Sequence, residues 1–287
     1  MKKSHLEIKK LTPTIGAEVL GVDLRNPSAD EVREINQALL DNGVIFFRDQ
    51  TLTPEQHIAF GRNFGKLHIH PYLPHENDYP EIYRIKAEPT TESQEKNYNA
   101  QWHADVTCDA EPPMGAILLL REIPENGGGD TVWCNMYAAY EALSDSMKRL
   151  LTGLTAVHGL SLYYQTEETG GKAGTKSQVS EHPVVRTHPV TGRQALYVNS
   201  IFTKSIVQLR PFESDALLQM LYRHIENERF HCRFKWRPGS VAFWDNRCTQ
   251  HRAIGDYEGY GRHGQRVTLC GDRPFYKSEA PITRAAE

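Results

Sequence analysis

The run Val241-Ala242-Phe243-Trp244-Asp245-Asn246-Arg247-Cys248-Thr249-Gln250-His251 decides how the chain is read. Four apolar residues give way to a polar stretch that ends on a histidine. Val241–Trp244 has the length and bulk of a buried strand, and His251 falls at the polar rim beyond its end. Working outward, similar short runs recur at Gly115–Leu120, Thr131–Cys134, Ala195–Val198 and Arg266–Cys270, separated by Gly, Pro and Asn. They read as strands of a mainly β fold, a jelly-roll or barrel with helices packed outside. There is no strict βαβ alternation and no GxGxxG turn, so a dinucleotide fold is disfavoured.

Helices are marked by their caps. Ser28 stands three residues before Glu31, a capping-box spacing, and Val32, Ile35 and Leu39 follow at helical intervals. Thr53 and Pro54 supply an N-cap and an N1 proline for a second helix, with Gly65 as its expected end. A third helix is expected over Glu213–Glu226, with Leu217, Leu221 and Ile225 on one face. Gly16–Leu24 and Val44–Phe47 read as strands. Lys86–Gln101 and Thr166–Gln178 read as loops, the second for its glycines 170, 171 and 174.

The chain has 287 residues, enough for one large domain, and the whole of 1–287 is read as a single unit. Lys and Arg number 33 against 36 acidic residues, which lacks the basic footprint of a nucleic-acid binder. No stretch approaches the ~18 apolar residues of a membrane span. Met1–Lys10 has no apolar stretch after Lys2 and Lys3, so no secretory signal is read there. Five scattered cysteines without a CxxC pair suit reduced thiols in a cytoplasmic protein.

Trp102-His103-Ala104-Asp105 carries the first chemistry. In extended chain, residues i and i+2 point to one face, so His103 and Asp105 can hold one metal from one strand end. Alone, His-x-Asp reads equally as a solvated polar pair. His251 from a distant strand would complete two imidazoles and one carboxylate. That set leaves half an octahedral shell open, as in non-haem Fe(II) oxygenases. Without a nearby thiolate pair, structural zinc is disfavoured. Arg262 and Arg266 follow His251 by eleven and fifteen residues. Arginine binds carboxylates and sulfonates through paired hydrogen bonds and keeps its charge at any working pH. Two arginines aimed inward need anions between them, which suggests an anionic cosubstrate and an anionic substrate; two surface arginines are the plainer alternative.

Together these residues resemble a known family. The run Trp102-His103-Ala104-Asp105-Val106-Thr107, then Pro112-Pro113, Gly128-Gly129-Asp130-Thr131 and Ala138–Ser144, is similar to the taurine dioxygenase family of Fe(II)/2-oxoglutarate-dependent oxygenases, which includes the 2,4-dichlorophenoxyacetate type. So are Leu67-His68-Ile69-His70-Pro71, His182-Pro183-Val184-Val185-Arg186-Thr187-His188-Pro189, Trp244–His251 and Gly271-Asp272-Arg273-Pro274-Phe275. The resemblance runs from about Leu11 to Tyr276.

It implies a double-stranded β-helix, a cupin-like jelly-roll. It also implies Fe(II) held by His103, Asp105 and His251, with 2-oxoglutarate and O2 as cosubstrates. Thr131 and Arg262 would hold the distal carboxylate of 2-oxoglutarate. Arg266, His70 and the backbone N–H of Val106 would hold the substrate's anion, with Asn99 as a polar contact and Phe202 as a pocket wall. No catalytic side chain is expected beyond the metal ligands.

The implied activity is hydroxylation of a small anionic substrate, foremost an organosulfonate that releases sulfite and an aldehyde. The same chemistry on an aryloxyalkanoate or other carboxylate, or on an alkyl sulfate ester, is the alternative. Leu73 (beside Tyr72) and Leu160 stand where the family has a tyrosine and a phenylalanine, and they point to a less polar substrate body. Ser161–Ser180 departs most and is expected to be a lid. His68 and His70 could be read as a second metal pair, but no carboxylate partner is evident nearby. His158, His188 and His263 read as structural, and Trp102 and Trp244 as packing that stiffens the site. A non-catalytic metal-binding jelly-roll is disfavoured by the triad with both arginines; a zinc hydrolase would need a general base that the sequence does not supply. The expected partners are the small anionic substrate and further copies of the chain, as a dimer or tetramer, with no nucleic acid and no membrane.

Overall fold

The computed structural model describes residues 6–69, 75–76, 78–87, 100–159 and 178–278. Its main element is a nine-stranded sheet. Eight strands run in the order Glu7–Lys10, Ala17–Leu20, Val44–Phe47, Ser240–Asp245, Gly115–Glu122, Arg262–Leu269, Tyr79–Ala87 and His75–Glu76, and Leu67–His68 also pairs with Arg262–Leu269. All pairings are antiparallel except that between Ala17–Leu20 and Val44–Phe47. A smaller sheet orders His231–Phe234, Thr131–Asn135 and Thr249–Ala253. Shorter sheets join Val179–Pro183, Thr155–Gly159 and Thr203–Ile206, and Val185–Thr187 with Gln194–Leu196.

Strand alternation sorts the apolar side chains into three layers. Phe46, Ala116, Leu118, Leu120, Ala242 and Trp244 of the large sheet share a core with Trp133, Cys232 and Phe234 of the small one. Phe46 stacks on Phe234 with centroids 3.9 Å apart and meets the edge of Trp133 at 5.2 Å. This is the seam between the two sheets, and truncating Phe46 to alanine would cost about 3–5 kcal/mol. The alternate residues, including Ile45, Phe47, Ile117, Leu119 and Phe243, pack outward against Ile35 and Leu39 of the Ala29–Asn42 helix and Phe60 of the Pro54–Arg62 helix. Behind the small sheet, Val132 and Cys134 pack on Tyr137 and Ala139 of the Met136–Glu141 helix and on Leu218, Leu221 and Ile225 of the Pro211–Ile225 helix. Two facing sheets with helices on both outer surfaces form the expected jelly-roll.

Both capping boxes are present, at Ser28–Glu31 and Thr53–Gln56. The second helix ends at Arg62 with Asn63 as its C-cap, before Gly65, and the third starts at Pro211, two residues earlier than its periodicity indicates. Pro211 explains the latter: its fixed φ suits the first helical turn. Tyr79–Ala87 takes the start of the expected 86–101 loop into the large sheet, and residues 88–99 lie outside the described part. Of the expected lid, 161–177 lies outside as well; Val179 and Ser180 open the Val179–Pro183 strand. Four of the five cysteines are buried, and none is paired. Among the described residues no helix is long and apolar enough to cross a membrane.

Candidate metal centre

His103 and His251 are fixed first by their backbones. Each N–H donates to the other's carbonyl, at 3.1 and 2.8 Å, in an isolated antiparallel bridge. The bridge joins the 100–110 segment to the Thr249–Ala253 strand and sets the two imidazoles side by side, with centroids 4.3 Å apart. Trp244 and Trp133 back the His251 ring at 4.9 and 6.3 Å. Two residues along from His103, Asp105 completes the set. One ligand atom from each of the three lies within 4.8 Å of the others, and all three side chains are buried.

The protonation states suit a divalent cation. His103 Nδ1 lies 2.8 Å from the Gln101 carbonyl. A carbonyl only accepts, so Nδ1 carries the hydrogen and Nε2 keeps its lone pair. Burial pushes His103 below the usual histidine range. Burial, and then the neighbouring His103, bring His251 down to about 3, so both rings are neutral. Burial alone would raise Asp105, but the charge of Arg266 outweighs it and brings it to about 2. Its Oδ2 is buried without a hydrogen bond, and His251 Nε2 stands 4.0 Å from Oδ1, too far to bond it. Two neutral imidazoles, one carboxylate and a buried lone pair are a fitting donor set for Fe(II).

The Asp105 backbone is clamped by a residue whose role sequence reading missed. Asn246 Oδ1 accepts the Asp105 N–H at 2.7 Å, and Nδ2 donates to the carbonyls of Asp105 and Pro113, each at 3.0 Å. Val106 then turns the chain at φ 49°. That is a left-handed conformation a β-branched residue adopts only when its surroundings impose it, at a cost of order 1–3 kcal/mol. Beyond it, Thr107 Oγ1 bonds His158 Nδ1 at 2.9 Å and accepts Asn199 Nδ2 at 3.0 Å. Val106 packs with Cys108, Ile201 and Phe202, which places the expected pocket wall against the loop that carries Asp105.

The two arginines share the Arg262–Leu269 strand. Arg266 reaches the triad: Nη1 donates to Asp105 Oδ1 at 3.2 Å, and Nη2 lies 3.1 Å from Oδ2. Its guanidinium also lies over Trp244, 5.4 Å from the ring centroid. Arg262 is buried, and among the described residues it makes no ion pair; its Nε has no hydrogen-bond partner. Burial lowers its pKa, and the neighbouring Tyr257 and Asp130 offset this only in part. Trp236 joins it to Thr131: the indole N–H donates to Thr131 Oγ1 at 3.0 Å, and the Arg262 guanidinium lies 5.8 Å from the ring. Trp236 carries no motif that would flag it. Gly129, at φ 76°, makes the turn that leads into Thr131, and a Cβ there would sit 3.5 Å from the Arg262 chain. His70 and Asn99, expected to touch the substrate, lie outside the described residues.

A second cluster, His188, Asp245 and Cys248, also has metal-binding composition. Its bonds are already used. His188 Nδ1 accepts the N–H groups of Val190 and Thr191, so its Nε2 carries the hydrogen and donates to Asp245 Oδ2 at 3.0 Å. Arg247 grips the same carboxylate at 2.9 and 2.6 Å. With no lone pair left on His188, this is a structural joint, in line with the reading of that histidine.

Residues 7–268 match the family described as "Taurine catabolism dioxygenase TauD, TfdA family". The chain belongs to this TauD/TfdA dioxygenase family. It is 34% identical over 281 residues to the "Alpha-ketoglutarate-dependent sulfonate dioxygenase" of Saccharomyces cerevisiae, covering 94% of this chain and 68% of that protein. It is 35% identical over 283 residues to the "Alpha-ketoglutarate-dependent sulfate ester dioxygenase" of Pseudomonas putida, covering 94% and 91%. Among solved structures, a taurine dioxygenase from Burkholderia xenovorans superposes with a TM-score of 0.81 at 41% identity, over 94% of this chain and 92% of that one.

Proposed function

We propose that this TauD/TfdA member is an Fe(II)- and 2-oxoglutarate-dependent dioxygenase that hydroxylates a small organosulfonate, the product then collapsing to an aldehyde and sulfite. His103, Asp105 and His251 would hold the metal, and Thr131 with Arg262 the distal carboxylate of 2-oxoglutarate. Arg266, with His70, Asn99 and the N–H of Val106, would hold the sulfonate. The observation that carries this reading is the pair of arginines on one strand: one reaches the carboxylate of Asp105, and the other is buried and makes no ion pair among the described residues. A cation placed so awaits an anion, because an unpaired buried charge costs several kcal/mol.

When bound, the iron and 2-oxoglutarate supply the oxidation: O2 is spent on decarboxylating the keto acid to succinate and CO2 and on adding a hydroxyl to the substrate. The chain supplies geometry and exclusion of water. Arg262 fixes the keto acid from its far end through paired hydrogen bonds. Arg266 sets the substrate anion beside the triad, so that the neighbouring C–H faces the metal. Val106, Cys108, Ile201 and Phe202 give the body of the substrate an apolar side. That apolar side, together with the similarity to a sulfate ester dioxygenase, supports a second reading: the same hydroxylation on an alkyl sulfate, yielding an aldehyde and sulfate. The whole chain is taken as one catalytic domain.

The test is turnover of a panel of sulfonates, alkyl sulfates and aryloxy acids with Fe(II), 2-oxoglutarate and O2. Succinate formed in step with sulfite supports the first reading, and succinate with sulfate the second. Succinate formation that stays at its substrate-free rate across the panel would exclude both.

A further inference from the structure

We infer that Asn246 is a positioning residue of the metal centre, its carboxamide standing in for a missing strand partner at Asp105; the inference rests on the ligand assignment above. His103 and His251 exchange two backbone hydrogen bonds. In an antiparallel ladder such pairs recur every second residue, so the next would unite Asp105 with Thr249. The ladder stops instead. Thr249 pairs on its other side with Asn135, and its hydroxyl turns back to the Asp245 carbonyl at 2.8 Å.

Asn246 fills the place. A carboxamide is the same functional group as a peptide, and this one gives Asp105 both bonds a neighbouring strand would give: an acceptor for its N–H at 2.7 Å and a donor to its carbonyl at 3.0 Å. The second hydrogen of Nδ2 goes to Pro113, and the Asn246 backbone N–H donates to Met114 at 2.8 Å. The side chain is buried, with its polar capacity directed at the ligand loop.

The location explains why this matters. Asn246 lies in the turn between the Ser240–Asp245 strand and the Thr249–Ala253 strand that presents His251. One turn therefore sets the carboxylate ligand through a side chain and the histidine ligand through the chain itself. The clamp also acts one residue before Val106, whose left-handed backbone pulls against a relaxed loop. Without the clamp, Val106 can return to the extended region, and Asp105 would swing away from the imidazoles.

The test uses the full chain stripped with a chelator and titrated with Co(II) under anaerobic conditions, with the Kd from chelator competition and the visible Co(II) spectrum as readouts. Asn246→Ala removes all three side-chain bonds. It is expected to raise the Kd about 10–100-fold, the usual effect of losing an outer partner of a metal ligand, and to change the spectrum. Asn246→Asp keeps the shape and the acceptor but faces two carbonyls with no donor; it is expected to weaken binding as well, and it decides the matter alone should Asn246→Ala not fold. Asn135→Ala, which uncaps the Met136–Glu141 helix, controls for stability: it should lower Tm and leave the Kd and spectrum as in wild type. Asp105→Ala separates the two levels of the claim. If it loses binding while both Asn246 variants bind as wild type, the positioning role is wrong. If Asp105→Ala itself binds as wild type, the ligand assignment falls and the inference with it.

Discussion

Arg266 engages Asp105 along one edge of its guanidinium, Nη1 donating to Oδ1 at 3.2 Å and Nη2 standing 3.1 Å from Oδ2, across 161 residues of sequence. Its Nε donates to Thr268 at 3.2 Å. Of five guanidinium hydrogens, two are thus bonded within the protein, to Asp105 Oδ1 and Thr268 Oγ1, and three on the two Nη atoms remain. The residue proposed to bind substrate is therefore already tied to the carboxylate proposed to bind the metal.

Arg266→Ala should raise the substrate KM about 10–100-fold, in line with losing hydrogen bonds to a charged group of about 1.5–3 kcal/mol. The KM for 2-oxoglutarate should move far less. Steady-state kinetics with each substrate varied in turn will show this, and the opposite pattern would mean that the two arginines have been assigned in the wrong order.

Arg262→Met should behave in the reverse sense and carry a stability signature. Replacing an unpaired buried cation with an apolar chain of similar length is neutral or stabilising, so the ligand-free variant should melt no lower than wild type. Wild type should gain about 2.7 kcal/mol from 2-oxoglutarate at a hundred times its Kd, and the variant should gain almost nothing at that concentration. A full 2-oxoglutarate shift in the Tm of Arg262→Met would remove this arginine from the cosubstrate site.

Asp245→Asn should be costly yet leave the metal alone. The carboxylate is fully buried between Arg247 and His188; burial would raise its pKa, but the bond and charge of Arg247 hold it below the usual range. Breaking such a pair costs about 3–5 kcal/mol. Urea unfolding should show that loss, while metal content per chain stays at the wild-type value. A fall in metal content would make the His188–Asp245–Cys248 cluster a metal site after all.

His57 gives the fold an acid sensitivity of its own. It is buried beneath the large sheet, 2.9 Å from Gln265 Nε2, and burial, then Arg121, lower its pKa to about 3. A histidine depressed in the folded state binds its proton first in the unfolded chain. Stability is therefore full above the unfolded value of about 6.5 and falls as pH drops toward 3, by up to about 1.4 kcal/mol per pH unit. His57→Gln should flatten the pH dependence of ΔG between pH 6.5 and 4.5 by about that slope. An unchanged slope would show that His57 does not contribute to it.

The legible parts of this protein were those that obey local rules. Strands buried on both faces, such as Val44–Phe47 and Ser240–Asp245, are continuous apolar runs because no solvent face dilutes them. Helices announced themselves at Ser28 and Thr53, where capping leaves a fixed spacing. Tyr79–Ala87 was hidden because its faces are only partly covered and its sequence mixes charges with Pro80. The clustering of the three candidate ligands was legible because His103 and Asp105 share a face at short range and His251 follows a strand end. What could not be read was partnership across the fold. Asn246 looks like any turn residue until its amide is seen against Asp105, and Trp236 like any core aromatic until it is seen between Thr131 and Arg262.

The tryptophans behind His251 have a use beyond packing. Trp244 and Trp133 lie with ring centroids 4.9 and 6.3 Å from that imidazole, well inside the range at which a paramagnetic ion drains an excited indole. With Fe(II) or Co(II) bound at the proposed triad, indole emission should dim, and it should return on chelation, giving occupancy without a label.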